Sequence, residues 1–407
     1  MRRNFETFRV LFFFLCCSGQ SFGFQPVAKR EVALTRPRST TLFAVNNVVL
    51  RPSSPDEDVF DNYKIGGCTV HRYSRENDPD SETEYVMWYH GRSVEQDSDK
   101  SLPPLSTGRI GRATSKNGLL WKKDTIGSAS EDIEGVALGL NAESWWGFDT
   151  AHAGLGSVLL PMSTPAVMTE GGVYLMYYMG GNFEETPIGD YVNKEMPADA
   201  KIKGMRMKIG VCVSQDGKTW GRVEGDDPSG ACVSPYDASD PNMKELANLR
   251  DEKGTPVQLE EELYVGWPEV VPLIEADAEK SGFIMYYSTT TKKDKVKALG
   301  YALSVDGFRW SPRGICLRPD PGTLDGAGVA RCTVVRNALF DEESGSWEDA
   351  PGYTMLYEGV SEKDNKHRIM KAASVDGKTW MKMGVVFDVG DEGAWDSEGV
   401  GSPNILR

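Results

Sequence analysis

At 407 residues, with 40% hydrophobic and 26% charged residues and a mean hydropathy of −0.41, the chain has a globular composition and room for one large all-β domain. Its 45 Lys and Arg stand against 60 Asp and Glu, a net charge of −15, which argues against binding to nucleic-acid phosphates or anionic membranes. Beyond the N-terminus no run approaches the roughly 18 apolar residues that span a bilayer.

The first 44 residues read as an address. Arg2 and Arg3 precede an apolar run from Val10 to Cys17, followed by the small residues Ser18, Gly19 and Ser21. This is the order of a secretory signal. From Phe24 onward the chain turns basic and hydroxylated through Lys29, Arg30, Arg36, Arg38, Ser39, Thr40 and Thr41, with Glu31 the only acid. That second stretch is similar to a transit peptide, and Gly23-Phe24-Gln25-Pro26 resembles the phenylalanine-centred cleavage motif of plastid proteins in diatoms and related algae. The resemblance implies delivery to the plastid stroma, whereas the apolar run alone fits secretion. The remaining domain spans 45–407. The leader holds seven of the 45 basic and two of the 60 acidic residues, which leaves 38 against 58 and a net charge of −20.

One phrase then recurs four times. Ser-x-Asp/Asn-Gly-x-x-Trp occurs at Ser115 to Trp121, Ser214 to Trp220, Ser304 to Trp310 and Ser374 to Trp380. Asn-Gly and Asp-Gly favour the turn that joins twisted antiparallel strands, and the tryptophan packs back on the sheet. Before each turn come a short strand and, before that, an aromatic strand: 85–91, 173–181, 283–288 and 353–359. Inner-strand candidates precede these at 60–70, 148–159, 263–273 and 324–335, with a fifth copy at 395–406. Four strands per unit, repeated, predict a β-propeller. The count gives four complete blades and the first strand of a fifth. Val48 to Pro52 resembles the outer strand Ile315 to Pro319, so the N-terminus is expected to close the ring from outside. The two middle strands of that fifth blade have no sequence to make them, and a C-terminal truncation is expected.

Insertions at Glu184 to Lys203 and Glu224 to Glu262 predict long loops, the second with a helix near Pro241 to Leu249. Outside the leader, Cys68, Cys212, Cys232, Cys316 and Cys332 are an odd number without a CxxC pair. Buried structural thiols are expected rather than a disulfide framework or zinc site. No metal-spaced cluster or phosphate-cradling loop is present, and no cofactor is expected.

Short blades, an aromatic strand, adjacent Asp-Gly in the turn and Trp/Phe-Asp before the next inner strand resemble the invertase/levansucrase/arabinanase superfamily of five-bladed glycoside hydrolases, over residues 48–407. The resemblance implies carboxylates projecting from inner strands of different blades toward the axis. By alignment to that family's motifs, the general acid falls on Gly266, the stabilising aspartate near Leu155 and the nucleophile near Gly66 or Gly67. Asp61, Asp149, Asp325 and Asp396 occupy one repeat position, where a turn role is expected. The catalytic candidates that remain are Glu269, in Pro268 to Leu273, with Asp149 as its partner. Lys64, His152, Trp267 and Arg331 are the candidate substrate-binding residues, because they differ between blades; Glu398 shares that property. Trp145 and Trp146 could stack on sugar rings. The expected ligand is a carbohydrate or sugar phosphate, with neither nucleic acid nor membrane as partner. The competing expectation is a non-catalytic propeller that serves as a binding or assembly scaffold.

Overall fold

The computed structural model describes residues 48–73, 83–93, 108–125, 133–162, 172–191, 197, 199–273, 282–341 and 346–406. The leader lies outside the described residues. Blade 1 is β1 (Lys64–Tyr73), β2 (Glu84–Arg92), β3 (Gly108–Ser115) and β4 (Lys122–Lys123), with β5 (Val136–Leu138) also on β3. Blade 2 pairs β6 (His152–Met162) and β7 (Val173–Gly181) with β10 (Lys208–Ser214) and β11 (Gly221–Val223). Its insertion forms the separate hairpin β8 (Glu185–Pro187) and β9 (Lys201–Lys203). Blade 3 is β12 (Glu262–Leu273), β13 (Gly282–Thr291), β14 (Lys297–Ser304) and β15 (Ser311–Leu317). Blade 4 is β16 (Gly328–Asp341), β17 (Ser346–Val360), β18 (His367–Ser374) and β19 (Met381–Phe387). A short 3-10 helix, Pro241–Asn248, begins at Asp240, whose carboxylate accepts the Asn242 amide.

The propeller therefore has four blades, not the five expected. Neither the 48–52 segment nor the C-terminal residues 399–406 form a strand, so the N-terminal outer strand is not made. The C-terminal segment is nevertheless ordered against blade 4. The Val400 amide donates to the His367 carbonyl at 3.0 Å, and Val400 and Ile405 pack on Leu356 and Ile369.

Each turn phrase forms the same knot. The serine hydroxyl accepts the glycine amide at 2.8–2.9 Å, and the Asp or Asn side chain accepts the next two amides. These satisfied turns hold the tryptophans against the blade interiors, where Trp310 meets Tyr177 and Trp380 meets Tyr286 edge-on.

A second repeated device explains the aspartates. Asp149 accepts the Tyr178 hydroxyl at 2.8 Å and pairs with Arg222 at 2.7 Å. Asp61 does the same with Tyr89 and Lys123, and Asp325 with Tyr357 and Lys382. All three carboxylates are buried. Each triad ties the entry of an inner strand to the second and outer strands of its own blade, satisfying a charge that would otherwise be costly to bury. Blade 3 departs from the pattern. Pro312 stands two residues after its turn tryptophan, where the other blades carry the cation, and buried Glu262 replaces the aspartate beside Tyr287.

The inner strands share a bulge. Their ladders slip between Gly66 and Cys68, Leu155 and Ser157, Gly266 and Glu269, and Ala330 and Cys332. At this point Gly67 (φ 47°), Trp267 (φ 50°) and Arg331 (φ 30°) are left-handed, and so is Ser402 (φ 52°) in the strandless C-terminal segment. Such values are rare for bulky side chains and here follow from the bulge, which re-aims one side chain per segment.

Candidate functional site

The bulges converge on one axial depression. It is lined by Gly67 and Cys68 of β1, Leu155 and Gly156 of β6, Trp267, Pro268 and Glu269 of β12, Arg331 and Cys332 of β16, and Ser402 to Asn404. It is small, about 30 Å³, on the scale of a water molecule. Gly66 and Gly401 are exposed while Thr69, further along β1, is buried. The depression thus opens toward the end where the inner strands begin.

Trp267 and Arg331 meet at the wall of this depression. The guanidinium lies 4.7 Å from the indole centroid, a stacked geometry suited to Arg. Arg331 Nη1 is 3.4 Å from Glu358 Oε2 and 3.3 Å from the Ser402 hydroxyl. Glu358 is buried and also accepts the Ser402 amide at 2.9 Å and a contact from His367 Nδ1. Although burial alone would raise the Glu358 pKa, its partners His367 and Arg331 and the Ser402 amide hold it below the ordinary carboxylate range. Glu358 reaches this position because Gly401 leaves no side chain in its way; a Cβ there would collide with the carboxylate.

Glu269 lines the depression but is occupied as a clip between blades. Its Oε1 accepts the Thr333 hydroxyl and the Val334 amide, each at 3.0 Å. The Ser157 hydroxyl makes the same kind of link in the preceding blade, accepting the Val270 amide at 3.1 Å. The two residues occupy equivalent positions after the bulge, so Glu269 is the acidic version of a repeated inter-blade link.

The remaining candidates lie apart from the depression. Asp149, expected to partner Glu269, is fully buried in the blade 2 triad and does not line it. His152 is buried, with Nε2 2.8 Å from the Gly204 carbonyl. Burial pushes its pKa down to about 4, so the ring is neutral and fixes the insertion to β6. Lys64 is exposed beside the Tyr63 ring, 5.1 Å from its centroid. The Glu398 side chain is 93% exposed. Of the six expected site residues, only Glu269, Trp267 and Arg331 come together.

Sequence reasoning missed Glu358, His367 and Glu262. Glu358 follows the recurring tyrosine of its aromatic strand, where the other blades carry His90, Met179 and Ser288. That blade-specific position was the available signal. The expected burial of the thiols holds for Cys212 and Cys332, while Cys68, Cys232 and Cys316 are part-buried and all five are free; desolvation pushes Cys68 up to about 11 and Cys316 to about 12. Among the described residues no group of three or more His, Cys, Asp or Glu side chains could hold a metal ion, and no helix is long and apolar enough to cross a membrane.

No protein-family profile and no curated sequence matches the chain. Solved structures do. A protein of Parabacteroides distasonis assigned to the glycoside hydrolases aligns with a TM-score of 0.51 at 13% identity, over 89% of this chain and 88% of that one. One from Bacteroides ovatus, also assigned as a glycoside hydrolase, gives 0.47 at 12% identity over 87% and 85%. A structure from a study of mannoside phosphorylases and glycoside hydrolases that target β-1,2 mannosidic linkages in Candida mannan gives 0.47 at 12% over 85% and 79%. At 13% identity the first of these likenesses, with a TM-score above 0.5, shows the fold alone: this chain is built as a β-propeller.

Proposed function

We propose that this propeller binds a carbohydrate at its axial depression and does not cleave it by paired carboxylates. The observation that carries this reading is the Trp267–Arg331 pair, an indole face and a hydrogen-bonding fork presented together at the axis by two left-handed bulges. An aromatic face stacks on the apolar side of a sugar ring, and the guanidinium serves its hydroxyls or an acidic substituent.

A glycosidase needs one carboxyl group that holds a proton and a second placed as base or nucleophile. Glu269 Oε1 is taken by two donors, and Glu358 is held ionised by its partners. Asp149 belongs to the blade 2 triad. The positions that the resemblance assigns to the acids fall on Gly266, near Leu155 and near Gly66 or Gly67.

The C-terminal segment is read as the inner element of a fifth blade position. Ser402 shares the left-handed bulge geometry and lies between Arg331 of blade 4 and Gly67 of blade 1. Five radial elements then surround the site, although four carry sheets.

Titration calorimetry against fructan, arabinan and mannan oligosaccharides tests the binding. Wild-type protein should bind at least one series, and Trp267→Ala should abolish it. Release of reducing sugar that Glu269→Gln eliminates would instead establish a hydrolase. Failure to bind any saccharide, with unchanged folding, would favour the scaffold reading.

Plastid delivery belongs to the same proposal, on the Phe24 motif and the basic segment that follows it. A fluorescent protein carrying residues 1–44 should enter plastids in a diatom host. Phe24→Ala should leave it outside the stroma; secretion of both would sink the idea.

A further inference from the structure

Five large aromatic side chains are exposed among the described residues: Tyr63, Trp145, Trp146, Phe183 and Trp395. All five lie at one end of the propeller. Tyr63 immediately precedes β1, Trp145 and Trp146 precede β6, and Trp395 precedes the C-terminal segment. Phe183 follows the end of β7, beside the start of β6, where Gly181 pairs with His152. Among the described residues, the large hydrophobic side chains exposed in the turns at the opposite end, Leu120, Val305 and Val375, are aliphatic. The end of the propeller toward which the axial depression opens therefore carries these exposed rings.

Within this rim Trp145 is 86% exposed, and its ring stands at 89° to that of Trp146, with centroids 6.0 Å apart. An indole so exposed is stabilised by little of its own chain. The loop that carries it is nevertheless well anchored. Arg222 donates to the Gly139 carbonyl at 2.6 Å, and the Asn141 amide donates to the Asp149 carbonyl at 3.2 Å. Asn141 Oδ1 accepts the Ser144 amide, and Gly147 N donates to the Ser144 carbonyl. The same Arg222 closes the buried triad of blade 2, so the loop grows from the rigid part of the blade. A preorganised loop holding two rings in water reduces the ordering cost of binding.

We infer that Trp145 and Trp146 form an outer saccharide subsite, so that the ligand is an oligo- or polysaccharide running from the rim toward Trp267, rather than a single sugar. The inference rests on the carbohydrate reading of the axial depression and extends it. Two rings at right angles grip successive sugar units whose faces turn along the chain.

The test uses the full chain in native affinity electrophoresis through gels containing levan, arabinan or mannan, with calorimetry on di- and octasaccharides of the retarding polymer. Wild type should be retarded in at least one gel. Trp145→Ala/Trp146→Ala should weaken octasaccharide binding about tenfold or more, as expected for losing two stacked rings, and leave disaccharide binding unchanged. Trp267→Ala should abolish both. Equal octasaccharide affinity in the rim variant and wild type would overturn the subsite while leaving the axial site standing. Retardation of no wild-type sample by any polymer would overturn both. Circular dichroism and thermal unfolding of the rim variants should match wild type, because both rim rings are exposed; the conservative pair Trp145→Phe/Trp146→Phe should restore some of the affinity.

Discussion

The indole N–H of Trp88 in blade 1 donates 2.9 Å to the carbonyl of Gly217, in the turn of blade 2. Tyr177 reaches Gly307 in the same way from blade 2 to blade 3, and Tyr286 reaches Gly377 from blade 3 to blade 4. Every complete blade boundary thus has an aromatic side chain that satisfies the turn of the following blade. In blade 4 the equivalent residue is Leu356, which packs on Val400 and Ile405 instead.

Removing one such donor should loosen the ring without unfolding it. Tyr177→Phe leaves the Gly307 carbonyl buried without that partner and should cost about 1–2 kcal/mol. Urea unfolding should show a lower midpoint at an unchanged slope. An unchanged midpoint would mean that the boundary is held by ring packing alone.

Glu262 makes stability depend on pH. Burial pushes its pKa from 4.5 up to about 7, and Pro312 stands where the other blades supply a cation. Between pH 4.5 and 7 the folded protein keeps a proton that the unfolded chain has lost. Its contribution is therefore full below the lower value, falls across this window and levels off above about 7, with a span of about 3 kcal/mol. Glu262→Gln should flatten that portion of the stability–pH profile. A profile unaltered by the substitution would contradict this assignment.

The blade triads should behave as structural units. Asp325→Asn takes the buried counter-charge from Lys382, which keeps only the more exposed Asp320 at 2.9 Å, and should destabilise by about 1–3 kcal/mol. Asp149→Asn should do the same in blade 2. If Asp149→Asn instead leaves the melting temperature unchanged and alters only turnover or ligand affinity, the catalytic expectation for Asp149 is restored.

Glu269 separates a clip from a proton donor. Glu269→Gln retains an oxygen to accept the Val334 amide, so stability should change by less than about 1 kcal/mol. Glu269→Ala leaves that amide and Thr333 without their acceptor and should cost about 1–3 kcal/mol. Thermal unfolding of the two variants distinguishes the roles: equal losses would show that the Oε1 acceptor contributes nothing.

The propeller itself was legible because its turns are local. Ser-x-Asp-Gly-x-x-Trp contains in seven residues the hydrogen-bond acceptors, the left-handed glycine and the ring that make the knot. The four complete sheets were legible in the repeat count; the fifth blade was over-called, since Trp395-Asp396 repeats the approach to an inner strand but strand formation requires pairing partners that the C-terminal segment does not meet. Arg331 and Trp267 could be selected because they break the repeat on an inner strand. Glu358 and His367 escaped notice because they come from the second and third strands, and only the glycine at 401 lets the carboxylate through to the axis. Glu262 was hidden by its displacement of one residue from the aspartate position.

The shared bulge makes the axial positions interchangeable sockets. Gly67, Trp267, Arg331 and Ser402 carry unrelated side chains on one backbone conformation, so the chemistry facing the axis can be exchanged one residue at a time while the ladders on either side persist. Asparagine and aspartate tolerate that conformation, which makes Gly67 a natural receiving position for a transplanted carboxylate. A lineage built on such sockets can lose a reaction and keep its ligand, or regain a reaction, through very few substitutions.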